Sequence, residues 1–89
     1  MTDGIVAEAR EAIDAVDREL LDAVNRRLEL VERLHRHKLA HGLPLRDPGR
    51  EQSIVSRLQQ ANGGPLSASG VAELFHCVLD LVRRELHGG

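Results

Sequence analysis

The chain has 89 residues, 12 of them basic and 14 acidic, and a net charge of −2. A chain of this length has room for one domain, residues 1–89. With one aromatic residue and no excess of basic residues, it lacks the features of nucleic-acid-binding proteins. No apolar stretch reaches membrane-spanning length and no secretory leader is recognisable, so we expect a cytoplasmic protein that does not contact membranes.

The first predicted helix runs from about Ile5 to about His41, a stretch that contains no proline and no internal glycine. Its apolar residues recur at spacings of three and four or their sum, which is the period of one helix face. Gly42 predicts a left-handed cap at its end, and Pro44 prevents the helix from continuing. The apolar stripe consists of Ile13, Val16, Leu20, Val24, Val31 and Leu34.

Two shorter helices are predicted after it. The second starts at Asp47-Pro48, where Asp47 is a favourable N-cap and proline suits the first helical position, and it ends at residues 62–65. The third starts near Ser67 or Ser69 and runs to about Leu86. Since no stretch shows the alternation of a strand, the sequence predicts an all-α chain of three helices.

The length of the first helix predicts a second copy of the chain. About 37 residues at 1.5 Å each give a rod of roughly 55 Å, whereas a globule of this chain length has a radius of gyration of about 12 Å. Half of the apolar stripe would be exposed to solvent unless another chain covered it. We therefore expect a homodimer; the alternative is a bent helix in a monomeric bundle, although no residue that would break the helix is present.

Three cations occupy positions that the helical period assigns to the apolar stripe: Arg10, Arg27 and Lys38. Cations on a helix are usually solvated, but a buried cation requires an anion. Arg27 and Lys38 lie about 16 Å apart along the axis and can converge on one ligand, whereas Arg10, about 25 Å from Arg27, reaches only the site of an antiparallel partner. With Arg50 and the acceptor Glu51 from the second helix, this set suits a dianion that carries a hydroxyl group.

Four pieces of sequence then occur in a fixed order: Arg10–Asp17 (REAIDAVD), Arg27, Lys38 and Gly42–Glu51 (GLPLRDPGRE). The last is the most specific, since it contains an Asp-Pro-x-Arg-Glu helix start at a set distance from the lysine. Together they resemble the AroQ-type (class II, all-helical) chorismate mutases, from about Ala9 to Leu58 and more weakly beyond. The resemblance implies an isomerase that converts chorismate to prephenate by a concerted [3,3] rearrangement, without cofactor, metal or covalent step.

The resemblance also implies a fold and a set of carboxylate-binding residues. The family fold is an intertwined homodimer of three-helix chains. Arg10, donated across the dimer, and Arg27 bind the two substrate carboxylates, and Arg50 helps to position a carboxylate and the acids.

The remaining roles concern the ring hydroxyl and the bond that breaks. Lys38 contacts a carboxylate and the ether oxygen, while Asp47, mainly through its backbone, and Glu51 hold the ring hydroxyl. The implied catalytic residues are thus Lys38, Arg27 and Glu51.

The end of the third helix departs from the family pattern. The family usually carries a Ser there and, four residues on, a Gln or Glu that donates a second hydrogen bond to the ether oxygen; Val82 and Leu86 occupy these positions, with Glu85 one residue away. We therefore predict a slow mutase, with substrate-facing positions at Val82, Glu85 and Leu86. The tail, residues 83–89, loosely resembles relatives that are activated by DAHP synthase, the first enzyme of the shikimate pathway.

Other functions are compatible with the same sequence features. An isochorismate pyruvate lyase or a 4-amino-4-deoxychorismate mutase has the same fold. In a non-catalytic helical regulatory dimer, the cations of the apolar stripe would have no ligand-binding role. His37 and His41, spaced i and i+4, are a weak metal-site candidate. Cys77 is expected to be a small packing residue.

Overall fold

The computed structural model describes residues 3–45 and 47–87 of the chain. These residues form three helices, α1 (Asp3–Ala40), α2 (Pro48–Ala61) and α3 (Ala68–His87), and contain no strand. The predicted all-α class and its three helices are confirmed, with boundaries within about two residues of those predicted. Arg46, which belongs to the resemblance, and Gly88 and Gly89 of the tail lie outside the described residues.

Helix α1 ends in a Schellman motif at the predicted glycine. Gly42 has φ of +65°, and the Leu43 N–H donates to the Lys38 carbonyl at 2.9 Å, while the Gly42 N–H donates to the Leu39 carbonyl at 3.4 Å. These two bonds satisfy carbonyls that the helix end leaves open. The motif therefore fixes the backbone of the last turn, which carries Lys38.

Side-chain caps start the other two helices. The Arg50 N–H donates to Oδ1 of Asp47 at 3.1 Å, so Asp47 is the predicted N-cap of α2, with Pro48 in the first turn. Of the two candidate serines before α3, Ser67 is the cap, because its Oγ accepts from the Gly70 N–H at 3.0 Å. Each cap supplies an acceptor for an N–H group that has no partner within the helix.

The chain divides into two units, Met1–Leu30 and Val31–Gly89, with the boundary inside α1. In the second unit α2 packs on α3, and the described core there consists of Val55, Val71 and Val82. By contrast, no side chain of α1 is buried within the described residues. None of the described helices is long and apolar enough to cross a membrane.

Most of the predicted apolar stripe of α1 is exposed in the single chain. Val16 and Leu20 are 58% and 55% exposed, although the helical period assigns both to an apolar face. Burying apolar surface is favourable at roughly 25 cal/mol per Å², so this exposed apolar surface lacks a stabilisation that the buried valines of the second unit have.

Candidate active site

The first unit carries two of the predicted site cations, in different environments. Arg10 is exposed and forms no ion pair with a described residue. Arg27 is half-buried, and its Nη1 is shielded from solvent without a hydrogen-bond partner. Within the described part of the chain it is the one buried side-chain nitrogen or oxygen in that state. A buried N–H of a charged group costs free energy when it has no hydrogen bond, so an acceptor placed at Nη1 of Arg27 would be bound favourably.

In the second unit, Lys38 and Arg50 also lack an acidic partner among the described residues. Lys38 is half-buried in the last turn of α1, where the Schellman motif holds its backbone. Arg50 is exposed in the first turn of α2, and its backbone N–H is held by the Asp47 cap. The caps thus orient both backbones and leave the two side-chain charges available to an anion.

Glu51, the predicted acceptor, is held by an arginine that the sequence pattern did not indicate. Nη2 of Arg83 donates to Oε1 of Glu51 at 2.7 Å, which joins α2 to α3. The same guanidinium donates through Nη1 to Oδ1 of Asp80 at 3.2 Å, one helical turn earlier. The Asp80–Arg83 spacing of three was readable in the sequence, but the pairing with Glu51, 32 residues away, depends on how α2 and α3 pack.

The three predicted positions near the end of α3 have different exposures. Val82 is buried in the α2–α3 core, Leu86 is half-buried, and Glu85 is exposed. Glu85 forms no ion pair with a described residue. Val82 and Leu86 have no polar side-chain atoms, so Glu85 is the one of the three that could hydrogen-bond to a ligand.

Cys77 and the two spaced histidines of α1 lie outside this set of charges. Cys77, expected to pack in the interior, is exposed, because it points away from the side of α3 that carries Val71 and Val82. The rings of His37 and His41 stack with centroids 4.2 Å apart, and Nδ1 of His41 donates to the His37 carbonyl at 3.0 Å. Within the described residues, no group of three or more potential ligands could hold a metal ion.

The charges of the predicted site residues are therefore unevenly balanced. Glu51 is paired with Arg83, and the side chain of Asp47 is engaged as a helix cap. The predicted cations, in contrast, have no protein anion among the described residues; they are Arg10, Arg27, Lys38 and Arg50. Guanidinium and ammonium groups bind carboxylates, so each unit by itself offers cations to an acidic ligand.

Comparison with known proteins bears on what that ligand is. The sequence model of the family described as chorismate mutase type II matches residues 9–86. No curated protein is significantly similar in sequence to the chain. Among solved structures, the chain is similar to chorismate mutase form II from Thermus thermophilus, with a TM-score of 0.86, 28% identity, and coverage of 93% of this chain and 94% of that one. It is also similar to form I from the same organism, with a TM-score of 0.83, 30% identity, and coverage of 86% and 96%.

Proposed function

Since the chain belongs to the chorismate mutase type II family, we propose that Arg10, Arg27, Lys38, Arg50 and Glu51 form the site in which chorismate rearranges to prephenate. The function of the chain is that of a chorismate mutase, an isomerase.

The observation that carries the proposed site is the unsatisfied Nη1 of Arg27. Chorismate is a dianion, and a carboxylate oxygen is the acceptor that a buried guanidinium N–H lacks. Arg27 would bind one substrate carboxylate, and Lys38 and Arg50 would complete the cationic set. Because the guanidinium fork matches the geometry of a carboxylate, the arginines also orient the ligand.

The chemistry requires orientation and charge stabilisation only. In the concerted rearrangement the ether C–O bond breaks as a new C–C bond forms between the side chain and the ring, and no proton or electron leaves the molecule. Holding the side chain over the ring lowers the entropic part of the barrier. Negative charge grows on the ether oxygen in the transition state, and the ammonium group of Lys38 stabilises it there. Glu51 accepts a hydrogen bond from the ring hydroxyl.

The exposed stripe of α1 supports an intertwined homodimer. Ile13, Val16 and Leu20 are each more than half exposed in the single chain, and a second copy would cover them. In a two-fold dimer each of two equivalent sites takes residues from both chains. Arg10, which is exposed and has no acidic partner among the described residues, would then supply its guanidinium to the site of the other chain.

The shortage of polar side chains at the end of α3 supports a slow enzyme. With Val82 buried and Leu86 apolar, Glu85 is the one residue of the predicted three that could contact the ether oxygen, and it would have to be protonated to donate. Lys38 would otherwise act on that oxygen alone. A complex with DAHP synthase that reorders this end of the chain would raise the rate. The cytoplasmic location expected from the sequence stays a prediction.

The test is a set of ultraviolet absorbance assays on the purified chain. We expect chorismate to be consumed and prephenate to form, with isochorismate and 4-amino-4-deoxychorismate turned over at most slowly. Preferential turnover of either analogue would reassign the substrate, and no turnover of any of them would favour a non-catalytic dimer. The chorismate assay is repeated with the DAHP synthase of the same organism, and an unchanged rate would remove that enzyme as activator.

The Lys38→Ala variant tests the role of the ammonium group. Loss of one preorganised donor to a developing oxyanion lowers kcat by about 100- to 1000-fold, so we expect a fall of that size. The matched control is Arg36→Ala, which removes an exposed cation of the same helix that is paired with Glu32. Equal effects of the two substitutions would contradict a role for Lys38 at the ether oxygen.

A further inference from the structure

We propose that Arg83 is a positioning residue for Glu51: it holds the carboxylate in the orientation that accepts the substrate hydroxyl and keeps it away from the cations of the site. This inference rests on the proposed function, because it assigns a role relative to the substrate. It concerns a residue of α3 that the sequence pattern did not indicate.

The geometry of the ion pair supports this role. Arg83 and Glu51 are both about one-third exposed, at 37% and 34%, and the Nη2–Oε1 distance is 2.7 Å. This pair lies beside the α2–α3 core, since Arg83 follows the buried Val82. An ion pair that is largely shielded from solvent restricts the carboxylate more than a pair at a fully exposed position does.

The hydrogen-bonding capacity of the two groups leaves room for a substrate at Glu51. The bond from Arg83 engages Oε1 of Glu51, and Oε2 has no donor among the described residues. A carboxylate has several lone-pair sites, so Glu51 can accept a substrate hydroxyl while it is held. Both Nη atoms of Arg83 already donate to acids, Glu51 and Asp80.

The local charge distinguishes positioning from direct binding. Arg83 together with Glu51 and Asp80 carries a net charge of about −1, which does not attract a dianion. Without Arg83, the carboxylate of Glu51 would be free to pair with cations such as the neighbouring Arg50, which have no acidic partner of their own among the described residues. Such a pair would occupy the donors that the substrate carboxylates need. Arg83 therefore maintains the cationic character of the site by binding its acceptor.

The experiment is a double-mutant cycle between Arg83→Ala and Glu51→Ala, with kcat and KM measured for chorismate. In the wild-type background we expect Arg83→Ala to raise KM about tenfold and to change kcat by less than about threefold, because the hydroxyl contact is made to substrate and transition state alike. In the Glu51→Ala background the same substitution should change KM by less than about twofold, since a residue that acts through Glu51 has nothing left to act on. Arg83→Lys should restore part of the affinity.

The control is Arg84→Ala, which removes the adjacent arginine, an exposed residue without an ion pair among the described residues, and should leave KM and kcat within about twofold. Circular dichroism checks that each variant is helical, and if Arg83→Ala is not, Arg83→Gln takes its place in the cycle. An equal rise in KM in both backgrounds, or a fall in kcat at constant KM, would overturn the inference. A wild-type protein that leaves chorismate unchanged would instead overturn the proposed function, and the inference with it.

Discussion

At the scale of single residues, the distinguishing property of the chain is that neighbouring cations have different surroundings. Arg26 is exposed, whereas the next residue, Arg27, is half-buried and has an N–H group without an acceptor among the described residues. We expect Arg27→Ala to lower kcat/KM by about 100- to 1000-fold, because it removes a preorganised donor to the substrate. Steady-state kinetics with chorismate measure this loss.

Arg26→Ala is the matched control for that prediction. It removes the same side chain one position along the same helix, and we expect kcat/KM to stay within about twofold, since exposed substitutions away from a site have small effects. If the two alanine variants were equally active, Arg27 would not be a substrate-binding residue.

At the scale of helices, the end of α1 depends on a backbone conformation that glycine adopts easily. Gly42 has φ of +65°, and left-handed backbone costs a residue with a Cβ about 1–2 kcal/mol. We expect Gly42→Ala to lower the free energy of unfolding by that amount and to lower activity as well, since Lys38 lies in the turn that the motif holds. Chemical denaturation at one fixed protein concentration measures the change.

Gly63→Ala is the control for this element. Gly63 does not have a positive φ, and a Cβ built there meets no atom within 4 Å, so we expect stability within about 0.5 kcal/mol of wild type. A loss at Gly63 equal to that at Gly42 would show that the left-handed cap is not the cause.

At the scale of the whole molecule, the proposed dimer makes a prediction about mixing two inactive chains. If Arg10 and Arg27 of one site come from different chains, Arg10→Ala and Arg27→Ala should each be inactive alone. Heterodimers formed on mixing would have one site with both arginines and one with neither. With random assortment, about half of the dimers are heterodimers, and one of the two sites in each heterodimer is intact. About a quarter of wild-type activity should therefore return.

Light scattering supplies the accompanying measurement, and the expected mass is twice the 9.8 kDa of the chain. Leu20→Asp, which places a charge on the exposed stripe of α1, should yield monomers and abolish activity, because burying an unpaired charge is costly. A mixture that regains no activity although heterodimers form would contradict a site shared between chains.

The three helices, their caps and the family follow from the order of the amino acids alone. Helical periodicity, the Asp47 cap and the Gly42 motif depend on residues a few positions apart, so their geometry is local and follows from residue type. The motif from Gly42 to Glu51 likewise needs no tertiary information to be recognised.

The partner of Glu51, in contrast, could be known only from the folded chain. The rotation of α3 against α2 is set by the packing of Val55, Val71 and Val82, and this rotation directs Arg83 towards Glu51 and Cys77 towards solvent. Burial and a missing hydrogen-bond partner at Arg27 are also properties of the fold. Contacts between residues distant in sequence depend on how helix faces pack, whereas the periodicity of each helix shows only which face is apolar.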